Sequence, residues 1–351
     1  MGCQTRFRLL PKPKADTKTR RVSAPKEKET VVQPSQFKPY LSNRIWETDL
    51  YPLELIARTK VRDHYLLPDG NRLMVATDRL SAFDRLVASI PLKGQILTRL
   101  SSYWFAATSD IVPNHVVGVP DPNAMICKPL KMLPVEFVVR DYLTGSTSTS
   151  IWTMYRSGDR HPYGISLPEG LRENEQLPET VITPAAKGTH DQPLTSMEAI
   201  GRGLVSDALW EEASAAALAV FARGRELAAR QGILLVDTKY EFGLDPEGRL
   251  VLADELHTPD SSRFWMADSY DTRFREGLPP NRLDKDIIRL WLISQCDPNV
   301  DPLPVVPDDI LLEVAAGYGR ALELITGADL DWPDANSGSV ERLRANLQLP
   351  T

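Results

Sequence analysis

The sequence predicts a soluble protein of mixed strands and helices, and three observations predict it. The front of the chain alternates short apolar runs with turn residues, the middle carries a long alanine-rich stretch of helical period, and a charged residue interrupts every hydrophobic stretch before it reaches the ~18 residues of a membrane-spanning helix. Its 351 residues, 42% hydrophobic and 25% charged, suffice for two or three lobes of ~100–200 residues each. Collagen, a disulfide scaffold and disorder throughout are excluded by composition. Cys3, Cys127 and Cys296 lie far apart with no Cys-x-x-Cys spacing. They signal neither a zinc knuckle nor a disulfide framework, and fit a reducing compartment.

Residues 1–38 read as a basic, disordered tail. They carry Arg6, Arg8, Lys12, Lys14, Lys18, Arg20, Arg21, Lys26, Lys28 and Lys38 against Asp16, Glu27 and Glu29, a surplus of seven positive charges in a chain whose net charge is −6. Four prolines and few large apolar groups leave too little surface to bury. Such a tail suits a solvated extension; a nucleic-acid contact or an organelle transit sequence are the other uses of that composition. Arg6 stands where a myristoylation signal needs Ser or Thr.

From about Tyr40 to Thr98 the pattern is strand-like. Val61 to Leu67, the turn Pro68-Asp69-Gly70-Asn71 and Leu73 to Thr77 predict a hairpin. Leu133 to Val139 predicts a strand that runs into Arg140-Asp141-Tyr142. Residues 156–205, rich in Gly, Pro and polar groups, predict a long loop region with little regular structure. Ser206 or Asp207 then caps a helix with Ala213, Ala217, Val220 and Phe221 on one stripe, stopped at Gly232. Ile233 to Leu244, a turn at 245–248 and Arg249 to Glu255 predict a second hairpin. Helices follow over about Leu283 to Cys296 and Asp308 to Ile325, and 328–351 reads as a loose polar end.

The second hairpin is the most informative stretch. Side chains alternate along a strand, so Asp237, Lys239 and Glu241 share one face while Val236, Tyr240 and Phe242 share the other. The turn returns Asp254 to the charged face. Carboxylates around a lysine suit magnesium together with nucleotide phosphates; they equally suit a solvated face with a cross-strand ion pair. Two hydroxyls beside Arg263, in Thr258-Pro259-Asp260-Ser261-Ser262-Arg263, make an anion cradle. Lys285 and Arg289 lie on one helix face. At the front, Lys60 and Arg62 point to one side of a strand, and Asp78 to Asp84 packs Ser81 and two acids into a short turn. Thr144 to Ser150 offers hydroxyls for an anion or for a helix start. The five histidines show no zinc-hydrolase spacing, and no P-loop, Gly-x-Gly-x-x-Gly or Gly-x-Ser-x-Gly occurs.

Taken in order, TKVRD (59–63), DRLSAFD (78–84), PLKGQILT (91–98), LPVEFVVRDYLTGS (133–146), VDTKYEFG (236–243), DELHTPDSSRFW (254–265) and LDKDIIRLW (283–291) resemble the phosphoribosylaminoimidazole-succinocarboxamide synthase (SAICAR synthetase) family of purine biosynthesis. The match spans roughly Leu55 to Gly327. The resemblance implies an α+β, two-lobed fold: a small antiparallel-sheet ATP-binding lobe (39–133) over a larger substrate- and metal-binding lobe (134–327). It implies an ATP-dependent ligase that joins L-aspartate to the carboxylate of carboxyaminoimidazole ribonucleotide through an acyl phosphate. ATP and Mg2+ are the implied cofactors, and small-molecule substrates the implied partners, with neither nucleic acid nor membrane.

By the family pattern, Lys60 and Arg62 would contact ATP phosphates with Lys239 on the same side, Glu241 and Asp254 would hold magnesium, and Lys239, Asp237 and Asp260 would be catalytic. Arg140, Ser146 and Arg263 would bind the ribonucleotide. Asp237, Asp260, Lys285 and Arg289 would complete the shell, and Ser81 and Asp84 would line the cleft. Three positions depart from it: Thr59 and Asp141 stand where the family usually has Gly, and Ala185-Ala186-Lys187 stands where Thr-Thr-Lys is common, ahead of the loop around His190-Asp191, whose histidine reads by default as structural. These departures motivate one alternative, a paralogous ligase on another substrate, and the basic tail motivates another, a non-catalytic nucleotide-binding or RNA-binding protein. The compartment expected is the cytoplasm, or the chloroplast if the tail is a transit peptide.

Overall fold

A computed structural model describes residues 32–188 and 192–350. Most of the basic segment, and the His190-Asp191 loop, lie outside the described residues. Residues 32–38 do not extend the tail: they lead into a 3-10 helix, Pro34–Tyr40, whose Phe37 and Tyr40 rings meet Trp332 at 5.0 and 5.9 Å. Buried aromatic surface outweighs the polar composition there.

Strands β1 (Glu54–Arg58), β2 (Arg62–Leu66), β3 (Arg72–Ala76), β4 (Arg79–Ala82) and β5 (Arg85–Ser89) open the fold, followed by helix α1 (Lys93–Ala107), β6 (Val116–Asp121) and β7 (Ala124–Cys127). The predicted hairpin is β2–β3. It sits in an antiparallel five-stranded sheet of order β1-β2-β3-β7-β6, while β4 and β5 pair separately. Strand β8 (Lys131–Leu143) begins a second sheet, and the boundary expected at 133/134 falls inside this strand.

Helix α2 (Ile151–Arg156), β9 (Glu175–Ala186), β10 (Gln192–Pro193), α3 (Ser196–Gly201), α4 (Asp207–Ala229), β11 (Ile233–Leu244), β12 (Leu250–Ala253) and β13 (Ser262–Met266) come next. The second sheet has the order β10-β9-β8-β11-β12, with β13 also paired to β11. Strand β9 corrects the expectation of an unstructured 156–205. Its prolines hid it. Pro178 is tolerated because Arg140 pairs Val181 while Tyr142 pairs Gln176, which leaves 177–180 as a bulge free of the ladder.

Helices α5 (Ala267–Arg275), α6 (Asp286–Gln295), α7 (Asp308–Thr326) and α8 (Ser339–Asn346) complete the chain. Helix α8 corrects the loose C-terminal end: Leu343 is fully buried beside Leu50 and Leu73, and Arg342 pairs with Asp121 at 3.1 Å. Helices α1, α4 and α7 share one core with the second sheet, centred on Trp104, Phe137, Tyr240, Phe242 and Tyr318. Helix α4 starts at Ser206, whose Oγ accepts from the Leu209 amide at 3.2 Å. It also lies unusually close to the loop after β12, since a Cβ on Gly224 would stand 2.3 Å from the His257 ring. One face of β11 departs from simple alternation. A bulge against β13 between Leu235 and Asp237 sends Val236 to a cluster with Tyr142 and Trp265, apart from Tyr240 and Phe242.

Candidate active site

A cleft of about 720 Å³ is lined from both sheets: Lys60, Arg62, His64 and Met74 from the first, Glu136, Arg140, Asp237, Lys239 and Glu241 from the second. Ser81 and Asp84 reach it from the β4–β5 hairpin, and Asp254, Asp260, Arg263, Lys285 and Arg289 from the chain after β12. All the site residues expected from sequence therefore converge, except Ser146. Its hydroxyl is buried without a partner among the described residues, and the neighbouring Thr147 lines the cleft instead. The run at 144–150 serves a helix start: the Ser150 Oγ accepts from the Thr153 amide at 3.2 Å and begins α2.

Alternation along β11 puts three charges on the cleft side. Lys239 stands at their centre, its Nζ bonded to Glu241 and 3.3 Å from both Glu136 and Asp254. Lys187, which follows β9, bonds Glu241 from the other side. Burial works against the Lys239 charge, yet Glu241, Asp254 and Glu136 hold its ammonium well above the usual range. Burial likewise opposes the Asp254 charge, and Lys239, Arg62 and Lys187 overcome it and lower the carboxyl. Asp254 also sits at φ 62°, a left-handed conformation held just after β12.

Arg62 lines the cleft and is held there by two acids. It is 5% exposed, with Nη1 3.2 Å from Asp254 and Nη2 2.6 Å from Glu255. It therefore ties β2 to the acidic end of β12. Lys60 is the front-lobe cation nearer open space, half-exposed and 2.6 Å from Asp84. Asp84 and Phe83 form the two-residue turn of the β4–β5 hairpin at φ 59° and 51°, the twist that suits a tight hairpin but that Phe adopts reluctantly.

A second line of charges crosses the cleft floor. Asp237 Oδ2 accepts from Arg140 at 2.8 Å and from Arg263 at 2.6 Å; Arg263 also donates to Asp286 at 2.9 Å, and Asp286 accepts from Arg289 at 2.7 Å. The Arg140–Asp237 pair follows from the β8–β11 register, and Arg263 stands opposite Asp237 on β13. Shared acids hold three guanidinium groups in fixed geometry, the arrangement that grips carboxylate or phosphate.

Asp260 has both oxygens engaged, one by Lys93 at 2.7 Å and one by the Tyr318 hydroxyl at 2.7 Å. Burial opposes its charge, but Lys93 and Lys285 lower the carboxyl pKa. Lys93 is fully buried and was missed in the sequence. Its signal was present in the PLKGQILT run, but α1 begins after Leu92 at φ 59° with no side-chain cap, so no helix start marked it. Lys187 and Glu136 were missed as well.

Two departures flagged in the sequence now have places. Asp141 is buried away from the cleft, bonded to Thr180 at 2.6 Å, Gln176 at 3.1 Å and Arg225 at 2.9 Å. Thr59 does line the cleft, where its hydroxyl accepts from the Arg62 amide at 3.1 Å.

Among the described residues no group of three or more His, Cys, Asp and Glu suits a metal ion held by protein alone, and no helix is long and apolar enough to cross a membrane. The model of the SAICAR synthetase family matches residues 55–303. An Agrobacterium fabrum protein, named provisionally as a second phosphoribosylaminoimidazole-succinocarboxamide synthase, is 53% identical over 294 residues, covering 83% of this chain and 93% of that one. The Saccharomyces cerevisiae SAICAR synthase complexed with SAICAR superposes with a TM-score of 0.70 at 33% identity, covering 82% of this chain and all of that one. A type-2 SAICAR synthetase in complex with ADP superposes with a TM-score of 0.61 at 27% identity, covering 80% and 100%. With the α+β fold, the cleft and these likenesses together, the chain belongs to the SAICAR synthetase family.

Proposed function

We propose that this protein is the ATP-dependent ligase that condenses L-aspartate with the carboxylate of carboxyaminoimidazole ribonucleotide to give SAICAR, ADP and phosphate. The observation that carries this reading is the single cleft in which the Lys239–Glu241–Asp254 cluster lies beside the Arg140–Asp237–Arg263 line. A carboxylate resists attack by an amine, so ATP must first turn it into an acyl phosphate. Catalysis is then mostly positioning and charge neutralisation. Lys60 and Lys239 neutralise the transferring phosphoryl group, and Arg140 and Arg263 hold the ribonucleotide. Lys93 and Tyr318 fix Asp260 as a positioning carboxylate at the cleft wall.

The donor set fits magnesium. Glu241 on β11 pairs Ala253, the residue before Asp254, and both carboxylates converge on one ammonium; the ion commonly takes one or two carboxylates and completes its shell with phosphate oxygens and water. When bound there with ATP it would supply charge neutralisation at the phosphates. Until then Lys239 and Lys187 neutralise the same two acids.

The test is ADP release from magnesium-ATP and carboxyaminoimidazole ribonucleotide with and without L-aspartate, following SAICAR by absorbance. Aspartate-dependent turnover supports the reading; ATP binding without turnover overturns it. Thr59, whose hydroxyl occupies a backbone amide in the cleft, favours a second reading, a paralogous ligase on another carboxylate or amine. A panel of amino acids and imidazole carboxylates separates the two. The proposed compartment is the cytoplasm, with the chloroplast as the alternative; N-terminal sequencing of the native protein distinguishes them.

A further inference from the structure

The reaction proposed above requires a proton to leave the aspartate α-ammonium before its nitrogen can attack. The carboxylates around the charged clusters are poor acceptors because cations hold them. Asp237 accepts from Arg140 and Arg263, Glu241 from Lys239 and Lys187, Asp254 from Lys239 and Arg62, and Asp260 from Lys93 and Tyr318. Lys285 differs. It lines the cleft at the start of α6, and among the described residues no carboxylate lies within ion-pair distance of its Nζ. The lysines at 60, 93, 187 and 239 all have such a partner, and Lys128, which also lines the cleft without one among the described residues, is exposed whereas Lys285 is partly buried.

We propose that Lys285 is the general base of the amide-forming step, an inference that rests on the function proposed above. Its neutral amine takes one proton from the aspartate ammonium. The freed nitrogen lone pair forms the C–N bond at the acyl-phosphate carbon. The C–O bond to phosphate then breaks with its electron pair, and the departing phosphate carries the second nitrogen proton. The lysine ammonium returns its proton to water.

The surroundings suit a base that is neutral part of the time. The charged groups facing Lys285 are Arg289 on its own helix, Asp260 and Glu255 from the segment after β12, and Lys93 from α1. Burial and then Arg289 push the ammonium down to about 8, against the opposing pull of Asp260 and Glu255. Asp260 is the stronger of those two opposing acids, and its oxygens are also engaged by Lys93 and Tyr318. A catalytic base works best with a pKa near the operating pH.

The experiment uses the full chain with magnesium-ATP and the ribonucleotide, offering either L-aspartate or hydroxylamine, a nucleophile already uncharged at neutral pH. Lys285→Ala should lose about 10²–10⁴-fold in SAICAR formation, the usual worth of a positioned base, while hydroxamate formation changes little. Added methylamine should restore part of the SAICAR rate, more strongly as pH rises. Equal loss of both products would overturn the proposal and make Lys285 a ribonucleotide-binding cation. So would a normal aspartate rate in Lys285→Ala, or a selective aspartate defect in His64→Gln in its place. Wild-type protein giving neither product would instead overturn the proposed ligase function, and the base with it.

Discussion

Arg140 and Asp141 are consecutive on β8 and serve opposite faces of the sheet. Arg140 donates to Asp237 at 2.8 Å in the cleft, whereas Asp141 accepts from Arg225 of α4 at 2.9 Å and from Thr180 in the bulge of β9. A strand presents successive side chains to opposite faces, so an acid can follow a substrate-binding arginine without entering the site. Asp141 thus pins the bulge that Pro178 requires, and gives no ground for a different substrate.

Asp141→Asn should therefore leave the ribonucleotide KM near wild type and lower stability. The buried carboxylate loses its charge partner and one amide hydrogen faces existing donors, a cost of about 1–3 kcal/mol. Urea denaturation together with steady-state kinetics checks both halves. A raised KM with unchanged stability would return Asp141 to the cleft.

Glu241→Gln should keep the fold and lose most turnover. The carboxylate is bonded to both Lys239 and Lys187, and the amide cannot neutralise either or hold magnesium. The magnesium concentration for half-maximal rate should rise along with the fall in kcat. Near-normal activity at low magnesium would remove the metal role.

Much of this site was legible because strand alternation is a strict rule. Asp237, Lys239 and Glu241 share a face from spacing alone, and the hairpin turn returns Asp254 beside them. Groups fixed by distant packing were not legible. Lys93 reaches Asp260 only because α1 and the loop after β12 meet in the core, and Tyr318 comes to the same carboxylate from α7, far along the chain. Arg62 faces the cleft as its strand position requires, but its ion pairs with Asp254 and Glu255 join residues far apart in the chain and were not legible. In the fold, β9 was hidden by prolines that a bulge accommodates, and α8 by polar residues around one buried leucine.

Arg263→Lys should raise the ribonucleotide KM far more than the ATP KM. Arg263 bridges Asp237 and Asp286 with two different nitrogens, and a lysine keeps the charge without the fork. Kinetics with each substrate varied in turn read the split. Equal effects on both would make the Ser-Ser-Arg loop a structural element.

His257 makes stability depend on pH. It is fully buried, 2.6 Å from the Tyr240 hydroxyl, and burial pushes its imidazole down to about 3. Below the ordinary histidine value of ~6.5 the unfolded chain binds a proton that the folded chain refuses. Stability therefore falls as pH drops from there toward the folded value, by up to about 1.4 kcal/mol per pH unit for one such group. Asp78, which burial raises to about 6, acts in the opposite sense, losing stability as pH rises from ~4 to its folded value. The whole-protein profile mixes the two, so the difference between wild type and His257→Gln isolates the imidazole. The variant should be the less stable at pH 8, because it repacks against Tyr240 and Trp104, and the gap should narrow steadily below about pH 6.5. Urea unfolding at several pH values measures it, and a gap independent of pH would mean that the imidazole charges inside the fold.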